Sequence, residues 1–258
     1  MEIFIAPIIM LSIYFYIRDK YEKEPYKMVR TSIIIGAILS PIIINIEDFL
    51  MNKLYLFNFS VNVDVILISF VIAGFVEELI KLIFLYAFTI RNREVNEPFD
   101  GIVYSVYIAL GFAQLENIIY YNALSITNGS TYLFQLGINR ALTAVIAHVI
   151  YGIIMGYFLG KFKFEEENKI KNASLSFILP FLIHGLYDYF VIAYQYNLRR
   201  NVIPSYFLII INVIFANVMI DKALKRSPFK IRYQKLKARK SYEKYLKNLN
   251  KRAKEEKI

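Results

Sequence analysis

The chain has no cysteine and only two histidines among its 258 residues. Without cysteine there is no disulfide framework, no thiolate nucleophile and no Cys-ligated zinc or iron-sulfur site, so any chemistry falls to oxygen and imidazole. No serine stands in a nucleophile motif beside a histidine, and no His-Glu-x-x-His pattern occurs. The first apolar run, residues 3 to 17, has Glu2 before it, no basic n-region and no small-residue cleavage site after it. It reads as a retained span and not as a secretory signal. The ten-residue alternation of a membrane β-barrel is missing as well.

What the chain has in quantity is apolar residues, 57% of the total, beside a formal net charge of +10. One soluble core does not accommodate both, and the charges fall between the apolar runs. A hydrocarbon layer about 30 Å thick needs about 20 mostly apolar residues per helical crossing. Runs of that kind lie near 31 to 49, 65 to 90, 100 to 121, 133 to 160, 173 to 195 and 203 to 221, after the shorter first run. The expected fold is all-α, a polytopic transmembrane helix bundle of about seven spans.

Basic residues near span ends resist translocation. Segments 18 to 30, 91 to 98 and 161 to 171 and the tail from residue 222 together hold 26 Lys and Arg, whereas the opposite connections hold only Lys53, Arg199 and Arg200. Seven spans with the N-terminus outside and the C-terminus in the cytoplasm satisfy this asymmetry. Two units are expected, a membrane domain over 1–222 and a basic tail over 223–258. The tail interleaves its charges with Tyr233, Leu236, Tyr242, Tyr245, Leu246 and Leu249, which suits an amphipathic helix on the anionic inner leaflet better than a nucleic-acid contact.

Ionisable groups at membrane depth cost about 2.5 to 3.5 kcal/mol each on insertion scales, so they face a bundle interior and mark function. Span three carries Glu77, Glu78 and Lys81. Span four carries Gln114, Glu116 and Asn117, span five Arg140 and His148, and span six His184 and Asp188. Spans one, two and seven hold no strong candidate in their middles. His184 and Asp188, four apart, share one helical face, where the acid can orient the imidazole. Lys81 lies within one turn of both glutamates and can neutralise a carboxylate. Adjacent Glu77 and Glu78 point about 100° apart, which argues for different tasks.

Counted at about 1.5 Å per residue, these acids and both histidines share a slab from the midplane towards the outer face. Each has a bland alternative: a structural ion pair for Glu77, Glu78 and Lys81, an interhelical bond for His148, snorkelling for Arg140, close packing for Phe112 and for Gly152 with Gly156. The shared depth across four spans favours chemistry. A carboxylate that takes a proton from water suits peptide hydrolysis, and so does a zinc site, for which His148, His184 and Glu116 are the candidate ligands. A transporter or proton relay built on the same acids, or a non-catalytic membrane scaffold, are the competing classes.

The ordered motifs resemble those of the PrsW family of intramembrane proteases, related to the CAAX-processing and bacteriocin-processing membrane proteases. Glu-Glu-x-x-Lys stands as Glu77 to Lys81, Phe-x-x-x-Glu as Phe112 to Glu116, a lone histidine as His148 and His-x-x-x-Asp as His184 to Asp188. YEKEPYKMV after the first run and FDGIVY opening the fourth agree further. The resemblance implies cleavage of a single-span membrane protein, typically an anti-sigma factor, in regulated intramembrane proteolysis at the cell membrane. It leaves both a glutamate-activated water and a metalloprotease open. Glu77, Glu78, His148, His184, Glu116 and Asp188 are then the catalytic set, with Lys81, Phe112, Asn117 and Arg140 in support.

Overall fold

The computed structural model describes residues 2 to 255, with side chains described from residue 5 to residue 248. Its helices are α1 (Glu2–Arg18), α2 (Tyr26–Leu54), α3 (Val61–Ile66), α4 (Val76–Leu85), α5 (Pro98–Ser125), α6 (Ser130–Leu142), α7 (Ala144–Phe164), α8 (Lys169–Gln195), α9 (Ile203–Lys225) and α10 (Lys230–Glu255). Among the described residues there is no strand. Five stretches, Tyr26–Phe57, Pro98–Ser125, Ser130–Phe164, Lys169–Gln195 and Ile203–Lys225, are long and apolar enough to cross a membrane, and α1 supplies a shorter apolar helix. This is an all-helical, multi-pass membrane protein.

Residues 61 to 90 are helical throughout, but the winding changes twice. The chain takes the wider π form over Leu67–Phe75 and again over Tyr86–Ile90, on either side of α4. Such segments are rare and concentrate at functional sites. The first is pressed directly on α8: a Cβ added at Gly74 would lie 3.0 Å from the Gly185 nitrogen, and one added at Gly185 would lie 2.4 Å from the Phe70 ring. The two glycines let the segment that launches Glu77 and Glu78 sit against the helix that carries His184.

The expected continuous run over 133–160 is broken at Thr143, whose φ of −120° and ψ of −62° separate α6 from α7. The Thr143 hydroxyl donates to the Asn139 carbonyl at 2.7 Å and accepts from the Tyr187 hydroxyl at 2.9 Å. Back-bonding of a threonine hydroxyl to its own helix bends it, and the tyrosine on α8 holds the bend.

Helix α5 is the core. From Phe99 to Ala113 it is buried on every side, flanked by α2 and α7. Lipid provides no hydrophobic drive between helices, so association rests on close backbone contact. Glycines supply that contact on both flanks. A Cβ at Gly36 or Gly111 would lie 1.9 or 2.1 Å from a carbonyl of the facing helix at the α2 crossing, and one at Gly156 would lie 2.2 Å from the Gly101 carbonyl at the α7 crossing. Gly152 also faces α5, so the Gly152/Gly156 pair packs as its spacing implies. Helix α10 stands largely clear of the bundle, with Leu236, Tyr242, Tyr245 and Leu246 exposed. Residues 256 to 258 and the side chain of Leu249 lie outside the described residues.

At the Lys/Arg-rich end, the two further motifs meet. The Glu24 amide donates to Asp19 at 2.9 Å, the Tyr104 hydroxyl donates to Glu24, and Asp100 accepts from the amides of Asn96 and Glu97 at 2.7 and 2.8 Å. Pro98 opens α5 with the fixed φ that a first helical turn needs. Burial raises Asp19 to about 6, Glu97 to about 8 and Glu24 to about 11, with neighbouring acids adding to each. The folded chain therefore keeps protons that the unfolded chain releases from about pH 4 upward. Stability is lost as pH rises through that interval, with Asp19's share complete near pH 6 and Glu97's near pH 8. We expect the melting temperature in detergent to fall by roughly 5 °C between pH 6 and pH 9, and the fall to shrink in Glu97→Gln. A melting temperature that climbs over that interval would contradict this assignment.

Candidate active site

Four helices deliver the site. Glu77, Glu78 and Lys81 come from the first turns of α4, Glu116 from α5, His148 from α7, and His184 with Asp188 from α8. All but Asp188 are buried. The Lys81 ammonium donates to Glu77 Oε2 at 2.9 Å and Glu78 Oε1 at 2.7 Å, so one cation serves both carboxylates. The same ammonium lies 4.2 Å from the centre of the Phe112 ring, a cation-π contact that gives Phe112 a role beyond packing.

The two histidines are arranged alike. His148 Nε2 lies 3.2 Å from Glu116 Oε2, and His184 Nε2 lies 3.2 Å from Asp188 Oδ2. On the other edge, His184 Nδ1 is 2.9 Å from Glu78 Oε1, and His148 Nδ1 is 3.4 Å from Lys81 and 4.0 Å from Glu77. His148 can give its Nε2 proton to Glu116 and turn its Nδ1 lone pair to the Lys81 ammonium, whereas His184 meets a carboxylate oxygen at each nitrogen and can donate to both, contacts that fix the orientation of each ring. The rings stand 5.4 Å apart and perpendicular, and Tyr151 stacks on His184 at 4.7 Å.

Glu116 is itself held. Arg140 donates from Nη2 to Glu116 Oε2 at 2.9 Å and from Nε to Asn117 Oδ1 at 2.5 Å. Arg140 does not snorkel to a surface, as its position in the run suggested. The break at Thr143 ends the helix that bears it, and the guanidinium reaches the carboxylate that orients His148. The ten residues expected to be catalytic or supporting thus join one network, whereas Gln114, in the same run as Glu116, has its Oε1 buried without a partner.

The network borders a cavity of about 610 Å³. Glu77, Glu116, Arg140, His148, His184 and Asp188 line it, whereas Glu78 and Lys81 line a separate void of about 10 Å³ on the far side. The adjacent glutamates therefore face different spaces, as their angular separation requires. The cavity's other walls include Tyr55, Tyr132, Gln195, Tyr196 and Tyr206, so it extends towards the end of the bundle where the connections are poor in Lys and Arg.

One donor atom each from Glu77, Glu78, His148 and His184 falls within 4.8 Å of all the others. Two imidazole nitrogens and two carboxylate oxygens suit zinc in number and kind. This set differs from the His148, His184 and Glu116 set expected from sequence, because Glu116 sits behind His148 on the ring's opposite edge. A metal ion here would share its carboxylates with Lys81.

Two lining residues escaped the sequence reading. Tyr151, three residues after His148 and so on its face, has a buried hydroxyl without a partner. Glu47, near the end of the second apolar run, is buried with Oε1 unpartnered. Polar groups in the middle of an apolar run stand out in the sequence, and Glu47 lies near one edge of its run.

The family model described as PrsW family intramembrane metalloprotease matches residues 24–219. Among curated relatives, the protease PrsW of Clostridioides difficile strain 630 is 38% identical over 196 residues, covering 75% of this chain and 79% of that protein. That of Bacillus subtilis strain 168 is 37% identical over 190 residues, 73% and 81% of the two chains. That of Oceanobacillus iheyensis is 40% identical over 187 residues, 72% and 79%. No solved structure matches the chain.

Proposed function

This chain belongs to the PrsW family of intramembrane proteases, and from that premise we propose that it hydrolyses a peptide bond of a single-span membrane protein, of anti-sigma-factor type, near the outer face of the membrane. The observation that carries this reading is the division of labour between the two glutamates. Glu77 faces the cavity a substrate can enter, beside both histidines, and Glu78 faces away from it.

Glu77 takes the proton of a water molecule that attacks the scissile carbonyl, and gives it to the amine nitrogen as the C–N bond breaks. Lys81, bonded to Glu77 Oε2, keeps that oxygen turned inward. The unpartnered Tyr151 hydroxyl is a donor available to the developing oxyanion, and His148 and His184 border the same space. Glu78 fixes His184 and Lys81 together, while Glu116 and Asp188 hold the imidazoles from behind. The donor set of Glu77, Glu78, His148 and His184 fits a divalent ion such as zinc, which when bound would acidify water and polarise a carbonyl.

The outer location is supported by the cavity's extension towards the Lys/Arg-poor end, since that end is outside when basic connections stay in the cytoplasm. Seven crossings follow if α1 and the continuous helix over 61–90 also span. That helix, at about 1.5 Å per residue, is roughly 45 Å long and sufficient for a bilayer.

The test is cleavage of a tagged single-span substrate by the purified protein in liposomes, with metal analysis of the same preparation. For a metal-loaded site, about one zinc per chain is expected in wild type, with loss in His148→Ala and His184→Ala. Chelation is then expected to abolish cleavage and zinc to restore it. Full cleavage by a metal-free preparation would assign the chemistry to Glu77 alone. No cleavage under any loading would refute the reading.

A further inference from the structure

The acids of the cavity are partnered with one exception, and Glu47 is where the gap falls. Among the described residues of the site, Lys81 is bonded to Glu77 and Glu78, and Arg140 to Glu116 and Asn117. His184 lies between Glu78 and Asp188. Glu47 lines the cavity but forms no ion pair, and its Oε1 is buried without a hydrogen-bond partner. A carboxyl oxygen buried at this depth without a hydrogen-bond partner is costly and calls for one.

We propose that Glu47 is the anionic head of a substrate subsite that takes a lysine or arginine side chain lying beside the scissile bond. The inference rests on the protease reading for its substrate, and on the cavity itself for its geometry. Glu47 and Met51 on α2 and Tyr55, in the 3-10 turn that continues it, recur at intervals of four and all three line the cavity, so they form one strip running from the reacting groups to the mouth. Across the mouth the Tyr55 hydroxyl stands 3.4 Å from that of Tyr196. An apolar stem can lie along Met51 and the tyrosine rings while its cationic head meets Glu47, which divides a long basic side chain as its chemistry prefers. A neutral or acidic residue in the same place leaves Glu47 unpaired or opposes it, and that penalty provides discrimination.

Substrates carrying Lys, Met or Glu at each position flanking the cut, presented to wild type, Glu47→Gln and Glu47→Lys, read the subsite directly. Wild type is expected to prefer Lys over Met by about tenfold in kcat/KM, Glu47→Gln to bring that ratio within about twofold, and Glu47→Lys to favour Glu. An unchanged Lys-to-Met ratio in Glu47→Gln overturns the proposal. A second measurement is independent of turnover: fluorescent single-span peptides with Lys or Met titrated into Glu77→Gln and into Glu77→Gln/Glu47→Gln. Selective binding of the Lys peptide that disappears with Glu47 upholds the subsite even where wild type cleaves nothing, which would refute only the protease reading. Equal binding of the two peptides to Glu77→Gln refutes the subsite, whatever is cleaved. Thermal melting of each variant shows whether the fold survives the substitution.

Discussion

Glu77→Gln is expected to lower kcat/KM for a single-span substrate by about 10³-fold while leaving the protein folded. Glutamine keeps the size of the side chain and an oxygen that can still accept from Lys81, so the bundle retains its contacts. The amide cannot accept a proton from water, and the reaction loses its base. About 10³-fold corresponds to roughly 4 kcal/mol of barrier, within the range that general bases supply. Glu78→Gln is expected to behave differently. Its carboxylate is shared by Lys81 and His184 and has no access to the large cavity, so its loss weakens two buried charge contacts and lowers both melting temperature and rate. Rates and melting temperatures measured on the same preparations separate the two roles. Retention of more than a tenth of wild-type activity by Glu77→Gln would remove it from the mechanism.

The largest effect on stability is expected at the helix crossings. Gly111→Val places branched carbons where a Cβ alone would already lie 2.1 Å from the Ile33 carbonyl, and the atoms it meets are backbone. No side-chain rotation relieves that contact. Helices α2 and α5 must separate, which exposes the site's inner wall, and a loss beyond about 3 kcal/mol follows from overpacking at this level. Gly156→Leu should do the same between α5 and α7, where the facing atom is the Gly101 carbonyl at 2.2 Å. Gly129→Val is the control, since nothing lies within 4 Å of its Cβ position. Protease resistance in detergent should disappear for the first two variants and persist for the third. A folded Gly111→Val protein would show that α2 and α5 do not cross at backbone contact.

Hydrophobic run length made the helices legible in the sequence, because bilayer thickness leaves so few alternatives for a run of that length. The polar residues of four runs were legible too, since burying charge in lipid is too expensive to be incidental. Residue spacing on single helices correctly paired His184 with Asp188 and Lys81 with its glutamates. What lay beyond reach depended on contacts between helices. Nothing in the local sequence says that Arg140 turns inward to Glu116, because that requires the bend at Thr143, fixed by Tyr187 from another helix. The residues that could hold a metal were legible as types, whereas the grouping of Glu77, Glu78, His148 and His184 within 4.8 Å depends on packing between helices. Which ring edge faces Glu116 and which faces Glu77 is decided by the packing of α5, α7 and α4. Glu47 is not legible because an acid close to the end of a run has a ready solvent explanation, and only its burial against the cavity removes that explanation.

The small void behind Glu78 has a consequence for the cell. A hydrolase inside a membrane must bring water to its bond without letting protons drain across. Here the large water-accessible space stops at Lys81 and its two carboxylates, and the void beyond them, about 10 Å³, has room for at most about one water molecule. Leu85, Ile108 and Met155 line the rest of it, and apart from Glu78, Lys81 and His148, which belong to the site itself, no acid, base or imidazole stands in that lining to continue a relay. The ion trio that organises the chemistry is thus also the floor of the aqueous pit, a seal that lets hydrolysis proceed on one side of an energised membrane without short-circuiting it.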